Sequence, residues 1–148
     1  AEAWKIFGDS DSIFMATFAA LGQNDDGLLA KWRRIREIRD AVNKDIEALR
    51  AAGQVGASLQ ACVTLTVAPE DHALLASLGD DLKFVFITST IELIAGSALQ
   101  VSAKASSDAK CERCWHYSAD VGHDAAHPTL CGRCTSNLFG SGEERKVA

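Results

Sequence analysis

An apolar stripe at helical spacing from Leu28 to Leu49, an alternating run from Leu59 to Val67, and two C-x2-C pairs at 111–114 and 131–134 predict an α+β protein. In it a long helix is followed by a small mixed α/β unit. A C-terminal module then closes around four cysteines in the manner of a zinc ribbon.

The helix is the clearest element. Leu28, Trp32, Ile35, Arg39, Val42, Ile46 and Leu49 recur in steps of four and three, which places them on one face. Asp25 or Asp26 supplies an N-cap and Gly53 a stop. Arg39 interrupts the stripe and reads as an apolar stem with its charged head in water. Upstream, Ile13, Phe14, Phe18 and Leu21 read as a short helix or buried loop before the turn-rich GQNDDG. The opening has no evident cap and looks like the tail of something larger.

The α/β unit follows. Leu59, Ala61, Val63, Leu65 and Val67 alternate with Gln60, Cys62, Thr64 and Thr66, as in a half-buried strand ended by Pro69. PEDHALLASLGDD reads as a short helix with Leu74, Leu75 and Leu78 inward and Gly79 closing it. LKFVFITST, apolar on both faces, reads as a central strand, and Leu99 to Ala103 as a weaker third one. The polar KASSDAK is a linker. These readings divide the chain into 1–53, 54–105 and 106–148.

Composition limits the function classes. Apolar residues make up 47% and charged residues 24%, the balance of a globular protein. No apolar run approaches the roughly 20 residues of a membrane span, and the N-terminus lacks the basic and apolar regions of a signal peptide. A reducing, cytoplasmic setting is the expectation, and there clustered cysteines favour metal over disulfides. The net charge of −5 argues against strong nucleic-acid binding by bulk charge alone. Its distribution is uneven, however. Lys31, Arg33, Arg34, Arg36, Arg39, Lys44 and Arg50 face only Glu37, Asp40, Asp45 and Glu47 along the helix. Any polyanion contact is expected there or beside the metal.

Cys111, Cys114, Cys131 and Cys134 form the pattern C-x2-C-x16-C-x2-C, within the known spacing of tetrahedral all-cysteine zinc sites. Each pair wraps the chain around the metal with backbone N–H groups aimed at the sulfurs, and Gly132 relieves crowding in the second turn. Four thiolates leave the ion no open position, so one structural zinc is expected and no catalysis. Lys110, Arg113 and Arg133 are placed to soften its negative charge. Trp115, Tyr117, Val121, Leu130, Leu138 and Phe139 are too few to fold the module, so metal binding supplies much of its folding free energy. His116, His123 and His127 read as exposed loop residues, Trp115 as a lid over the metal, and Cys62 as a small strand side chain.

The strings KCERCWHY, HPTLCGRC, TSNL and GEERKVA resemble the extreme C-terminus of bacterial isoleucyl-tRNA synthetase. The helix pattern W-x2-I-R-x6-N-K-x2-E-x2-R from Trp32 to Arg50, then VGASLQACVTL and FVFITS, continues the resemblance. It covers about Trp32 to Ala148. It implies the end of an anticodon-binding helical region, a small α+β domain and a terminal zinc module that helps hold tRNA. The HIGH-type and KMSKS-type signatures of the catalytic domain are absent from these residues. ATP chemistry would therefore belong to the rest of the parent chain, and this segment is not expected to be catalytic on its own.

From the residues, Arg33, Arg34, Arg36, Lys44 and Arg50 are candidates for phosphate contacts. Arg113, Trp115, Arg133, Arg145 and Lys146 are candidates for charge and stacking contacts to RNA. Two other readings carry the same cysteine spacing. One is the zinc finger of a DNA base-excision glycosylase, which needs an N-terminal Pro-Glu where this chain has Ala-Glu. The other is a zinc-stabilised protein-interaction module. No DNA and no membrane partner is expected.

Overall fold

A computed structural model describes residues 2–8, 12–18 and 22–143. The first helix, α1 (Glu2–Phe7), and a 3-10 turn at Ile13–Met15 precede the long helix α2 (Asp26–Ala51). Of the short helix or buried loop expected before α2, the chain forms the short 3-10 helix, and Phe14 and Phe18 both stand in solvent. Leu21 lies outside the described residues.

Helix α2 starts where the Asp25 carboxylate accepts the Leu28 N–H at 2.9 Å, and it stops before Gly53 at φ 70°. Its buried stripe is Ile35, Ile38, Val42 and Ile46. Ile38 thus takes the central place given above to Arg39, which lies half-buried alongside with its Nε screened from water and without a partner. Leu28 and Trp32, at the start of the expected stripe, are exposed. Burial along α2 therefore runs from Ile35 to Ile46 and leaves its first turns in solvent.

Those four side chains share one buried cluster with Ala61, Val63, Leu65 and Val67 of strand β1 (Ala61–Val67). Each such aliphatic side chain, fully buried, contributes on the order of 2 kcal/mol. Helix α3 (Pro69–Ala76) follows with Pro69 in its first turn, and its Leu75 joins the cluster, as do Leu82 and Phe86 further on. Leu74 and Leu78 pack against the same cluster from partly buried positions, and Gly79 turns the chain at φ 54°.

The run expected to be a central strand is instead helix α4 (Leu82–Phe86). Leu82 and Phe86, four apart, bury on one side of it. A short run apolar on every side satisfies both periodicities, so its pattern does not separate strand from helix. Ile87 ends α4 in the left-handed region at φ 57°. Strand β2 begins only at Thr90 and runs to Ala95. Strand β3 (Gln100–Ala105) then covers the third expected strand and two residues assigned to the linker.

The sheet order is β2-β1-β3, with β1 parallel to β2 and antiparallel to β3. Val63 pairs with Ile91 and Ala103, and Leu65 with Leu93 and Val101, so one face carries the apolar side chains that join the core, while Ile94 stands exposed on the other beside Thr66. Cys62 lies half-buried on the opposite face, as expected of a strand side chain. The C-terminal module consists of a short hairpin, β4 (Ala109–Lys110) with β5 (Tyr117–Ser118), and helix α5 (Gly132–Phe139).

Candidate metal centre and nucleic-acid surface

Two chain turns bring the four thiols together. Cys111 and Cys114 lie in the tight turn between β4 and β5; Cys131 and Cys134 lie at the start of α5. Their sulfurs all fall within 4.8 Å of one another, and those of Cys114 and Cys131 are 3.7 Å apart. Zinc–thiolate bonds of about 2.3 Å arranged tetrahedrally put sulfurs about 3.8 Å apart. The residues therefore fit one zinc ion, which supplies a structural crosslink and leaves no position for water. Cys111, Cys131 and Cys134 are buried, with Val121 and Leu130 packed against them.

The sulfurs receive donors as the spacing implied. The Cys131 N–H donates to Cys111 Sγ at 3.4 Å, and Arg113 Nη1 lies 3.7 Å from Cys134 Sγ. Burial opposes ionisation of Cys111. The backbone N–H groups of Cys114, Cys131 and Arg113 outweigh it and hold that thiol at about 6. At Cys114 burial prevails and pushes the thiol up to about 12. A bound zinc would favour the thiolate form of all four ligands.

Asp120, which the sequence reading passed over, fixes the second turn. Its Oδ2 accepts the Gly132 N–H at 2.9 Å, and its Oδ1 accepts the Ser118 hydroxyl. A Cβ on Gly132 would stand 2.7 Å from Asp120 Oδ2, so the glycine makes room for this contact. The Ser118 hydroxyl and that N–H hold the Asp120 carboxyl below the usual range, against the opposing effect of burial. Nothing in the pattern around residue 120 announces this role, because it depends on a loop returning beside it.

Several expectations for the module need correction. Trp115 is 59% exposed; its Nε1 donates to the Glu112 carbonyl at 3.1 Å and Lys110 Nζ sits 4.8 Å over its ring. It is held beside the knuckle rather than as a lid on the metal, because φ 67° at Trp115 swings it outward. His116 is half-buried edge-on to Phe84, at 5.2 Å between centroids, and burial lowers its pKa below the usual imidazole range. His127 is half-buried and stacks on Phe139 at 3.8 Å. Only His123 is an exposed loop residue as expected.

The basic side chains divide into two groups. Arg34 donates to both carboxylate oxygens of Asp71, at 2.8 and 2.7 Å, and to Glu37 at 2.9 Å. Arg50 pairs with Glu47, and Arg133 makes a two-pronged contact with Glu143. Arg33, Arg36 and Lys44 are exposed and have no partner among the described residues. Arg33 and Arg36 lie three apart and Lys44 eight further on, so they line one outer face of α2. Arg113 faces the thiols, and Arg145 and Lys146 lie outside the described residues.

The family model described as "Zinc finger found in FPG and IleRS" matches residues 109–137, which include all four cysteines. Beyond the finger, the chain is 52% identical over 99% of its length to the isoleucine–tRNA ligase of Ralstonia pickettii. It is 50% identical to that of Cupriavidus necator and 48% identical to that of Bordetella pertussis, again over 99% of its length. The chain spans only 16% of the first two relatives and 17% of the third.

Along 99% of its length the chain is similar to the C-terminal region of aminoacyl-tRNA synthetases, and its four cysteines lie within the matched zinc finger. Within that class the homology is to the isoleucine–tRNA ligases. Among the described residues no helix is long and apolar enough to cross a membrane.

Proposed function

We propose that this chain is the tRNA-holding C-terminal part of an isoleucine–tRNA ligase. One zinc held by Cys111, Cys114, Cys131 and Cys134 keeps its last module folded. The observation that carries this reading is homology running through helix, sheet and zinc site in one order. The finger alone does not separate ligases from glycosylases, since its family description names both. The long helix and the sheet are what favour the ligase.

In this reading the aminoacylation of tRNA with isoleucine, using ATP, belongs to the remainder of the parent chain in the cytoplasm. The present residues position RNA. Arg33, Arg36 and Lys44, unpaired on one face of α2, meet phosphates. Arg34 and Arg50 act mainly within the protein. Trp115, exposed beside the knuckle with Lys110 across its ring, adds a stacking surface, Arg113 and Arg133 contribute charge near the metal, and Arg145 and Lys146 are further candidates for RNA contacts. We take 1–53, 54–105 and 106–148 as its three units, with α2 of the first packed on the apolar face of the second and the described part of the third beside the α4–β2 corner.

Filter binding of an isoleucine-accepting tRNA transcript tests this. Salt-sensitive binding that exceeds binding to duplex DNA of equal length is expected. Equal retention of both nucleic acids, or of neither, would count against it.

A further inference from the structure

The four sulfurs of the metal site differ in access. Cys111 and Cys134 are wholly buried and Cys131 is 5% exposed, whereas Cys114 is only half-buried. Beside them a cleft of about 320 Å³ opens where the zinc module meets the corner between α4 and β2. Cys114 and Cys131 are on its lining; Cys111 and Cys134 are not. The cleft thus leads to two of the four ligands, and the sulfurs of these two lie 3.7 Å apart.

A zinc-bound cysteine is a thiolate, so access decides which ligand an oxidant meets first. Redox-sensitive cysteines combine an accessible sulfur with a second one poised to resolve its oxidised form. Cys114 meets the first condition, and Cys131 on the same lining meets the second. Charge narrows the class of oxidant. Lys83 and Arg133 on the lining are matched by the Asp108 and Asp120 carboxylates, and the two cysteine ligands add to the negative side. No cationic excess remains to gather an anionic oxidant, so a small neutral hydroperoxide suits the cleft best.

We propose that the zinc site is a peroxide-sensitive switch, with Cys114 as the point of attack and Cys131 as the resolving partner. The Cys114 thiolate attacks one oxygen of hydrogen peroxide; the O–O bond breaks, and the departing hydroxide takes a proton to become water. The Cys131 thiolate then attacks the sulfur of the resulting Cys114 sulfenic acid. The S–S bond forms as the S–O bond breaks, and a second hydroxide leaves and is protonated. In sum, two thiolates, one peroxide and two protons give one disulfide and two waters. Two electrons pass from the sulfurs to the peroxide oxygens. Only Cys111 and Cys134 then remain as ligands, too few to hold the ion, and the module loosens. A thiol reductant together with zinc reverses the change. The inference rests on the metal site and is independent of the RNA-holding reading.

The test treats the zinc-loaded full chain with hydrogen peroxide and follows zinc release with a chromogenic chelator. In parallel, free thiols are trapped by alkylation and disulfides are mapped by mass spectrometry. Release of the single ion is expected in step with a Cys114–Cys131 disulfide, while Cys62 is still trapped as a free thiol. Dithiothreitol with added zinc should restore the metal content. Ala119→Trp, at an exposed position on the lining, should narrow the cleft and slow release several-fold. Slower release is the opposite of what mere loosening of the fold would give.

Zinc retained under peroxide, or released while a different cysteine pair forms the first disulfide, would overturn the proposal. So would release from zinc-loaded Ala119→Trp as fast as from the wild-type chain or faster, since the cleft would then not be the route of attack.

Discussion

The Ser89 hydroxyl accepts the Tyr117 N–H at 2.6 Å and itself donates to the Leu59 carbonyl. Ser89 is buried at the foot of β2, while Tyr117 opens β5 directly after the first cysteine pair. One side chain thus ties the zinc module to the sheet and satisfies a backbone group on each side. Such a hydroxyl matters more for what its loss exposes than for the bond energy itself.

Ser89→Ala is therefore expected to lower unfolding free energy by about 1–3 kcal/mol, the penalty of a buried polar group left unpaired. Zinc content should stay at one ion per chain, because no ligand is touched. Thermal unfolding together with metal analysis checks this. A loss of zinc with unchanged melting of the sheet would contradict the placement.

Cys111→Ser or Cys134→Ser should abolish stoichiometric zinc binding. Amide hydrogen exchange should then accelerate from Lys110 through Glu143. The cluster built from Ile38, Val42, Val63 and Leu65 should keep its protection, since it contains no cysteine ligand. Undegraded, reduced wild-type protein found without zinc would sink the metal assignment.

The basic helix gives a split prediction. Arg33→Ala with Arg36→Ala should weaken tRNA binding and shallow its log–log salt dependence by about 1 per lost phosphate contact, with little change in stability. Arg34→Ala should do the reverse. It leaves Asp71 without its two-pronged partner, costs up to about 1 kcal/mol of stability for a pair that is partly exposed, and leaves the salt slope nearly unchanged. Parallel filter-binding and urea titrations distinguish these effects.

That same pair sets a pH response. Hydrogen bonds from Arg34 hold the Asp71 carboxyl below its usual range, against the opposing effect of burial. A folded-state pKa depressed below the unfolded value of about 3.9 contributes stability that is present above that pH. It is lost as pH falls through the folded value. Wild-type protein should therefore lose stability more steeply than Asp71→Asn as pH drops below about 4. Equal slopes in acid titrations of the two proteins would remove this contribution.

Gly132→Ala probes the second cysteine turn. The added methyl would meet Asp120 Oδ2 at 2.7 Å and displace the carboxylate that caps α5, so destabilisation of about 1–2 kcal/mol confined to the zinc module is expected. Replacing Asp120 by Ala in the same chain should make the glycine substitution nearly neutral. Additive losses would show that the two residues act apart.

Several features were legible without coordinates because they depend on local spacing. Two C-x2-C turns dictate where thiols converge, Asp25 and Gly53 delimit α2, and the alternation from Ala61 to Val67 orients β1. Near-neighbour geometry settles each of these. The resemblance carried by the cysteine strings and by the Trp32–Arg50 pattern likewise lies in the residues themselves.

Other features required the chain to meet itself. The segment Leu82–Phe86 became a helix because the sheet already had its central strand, β1, and offered a corner to cover. Ile38 displaced Arg39 from the buried stripe once the angle of α2 across the sheet was set. Pairing with Asp71, thirty-seven residues away in sequence, separated Arg34 from Arg33 and Arg36, which are its equals in composition. Asp120 under Gly132 and Ser89 under Tyr117 belong to the same kind. Periodicity and spacing report what a residue's neighbours in sequence impose. A hydrogen bond between distant segments depends on packing, and only the tertiary structure determines it.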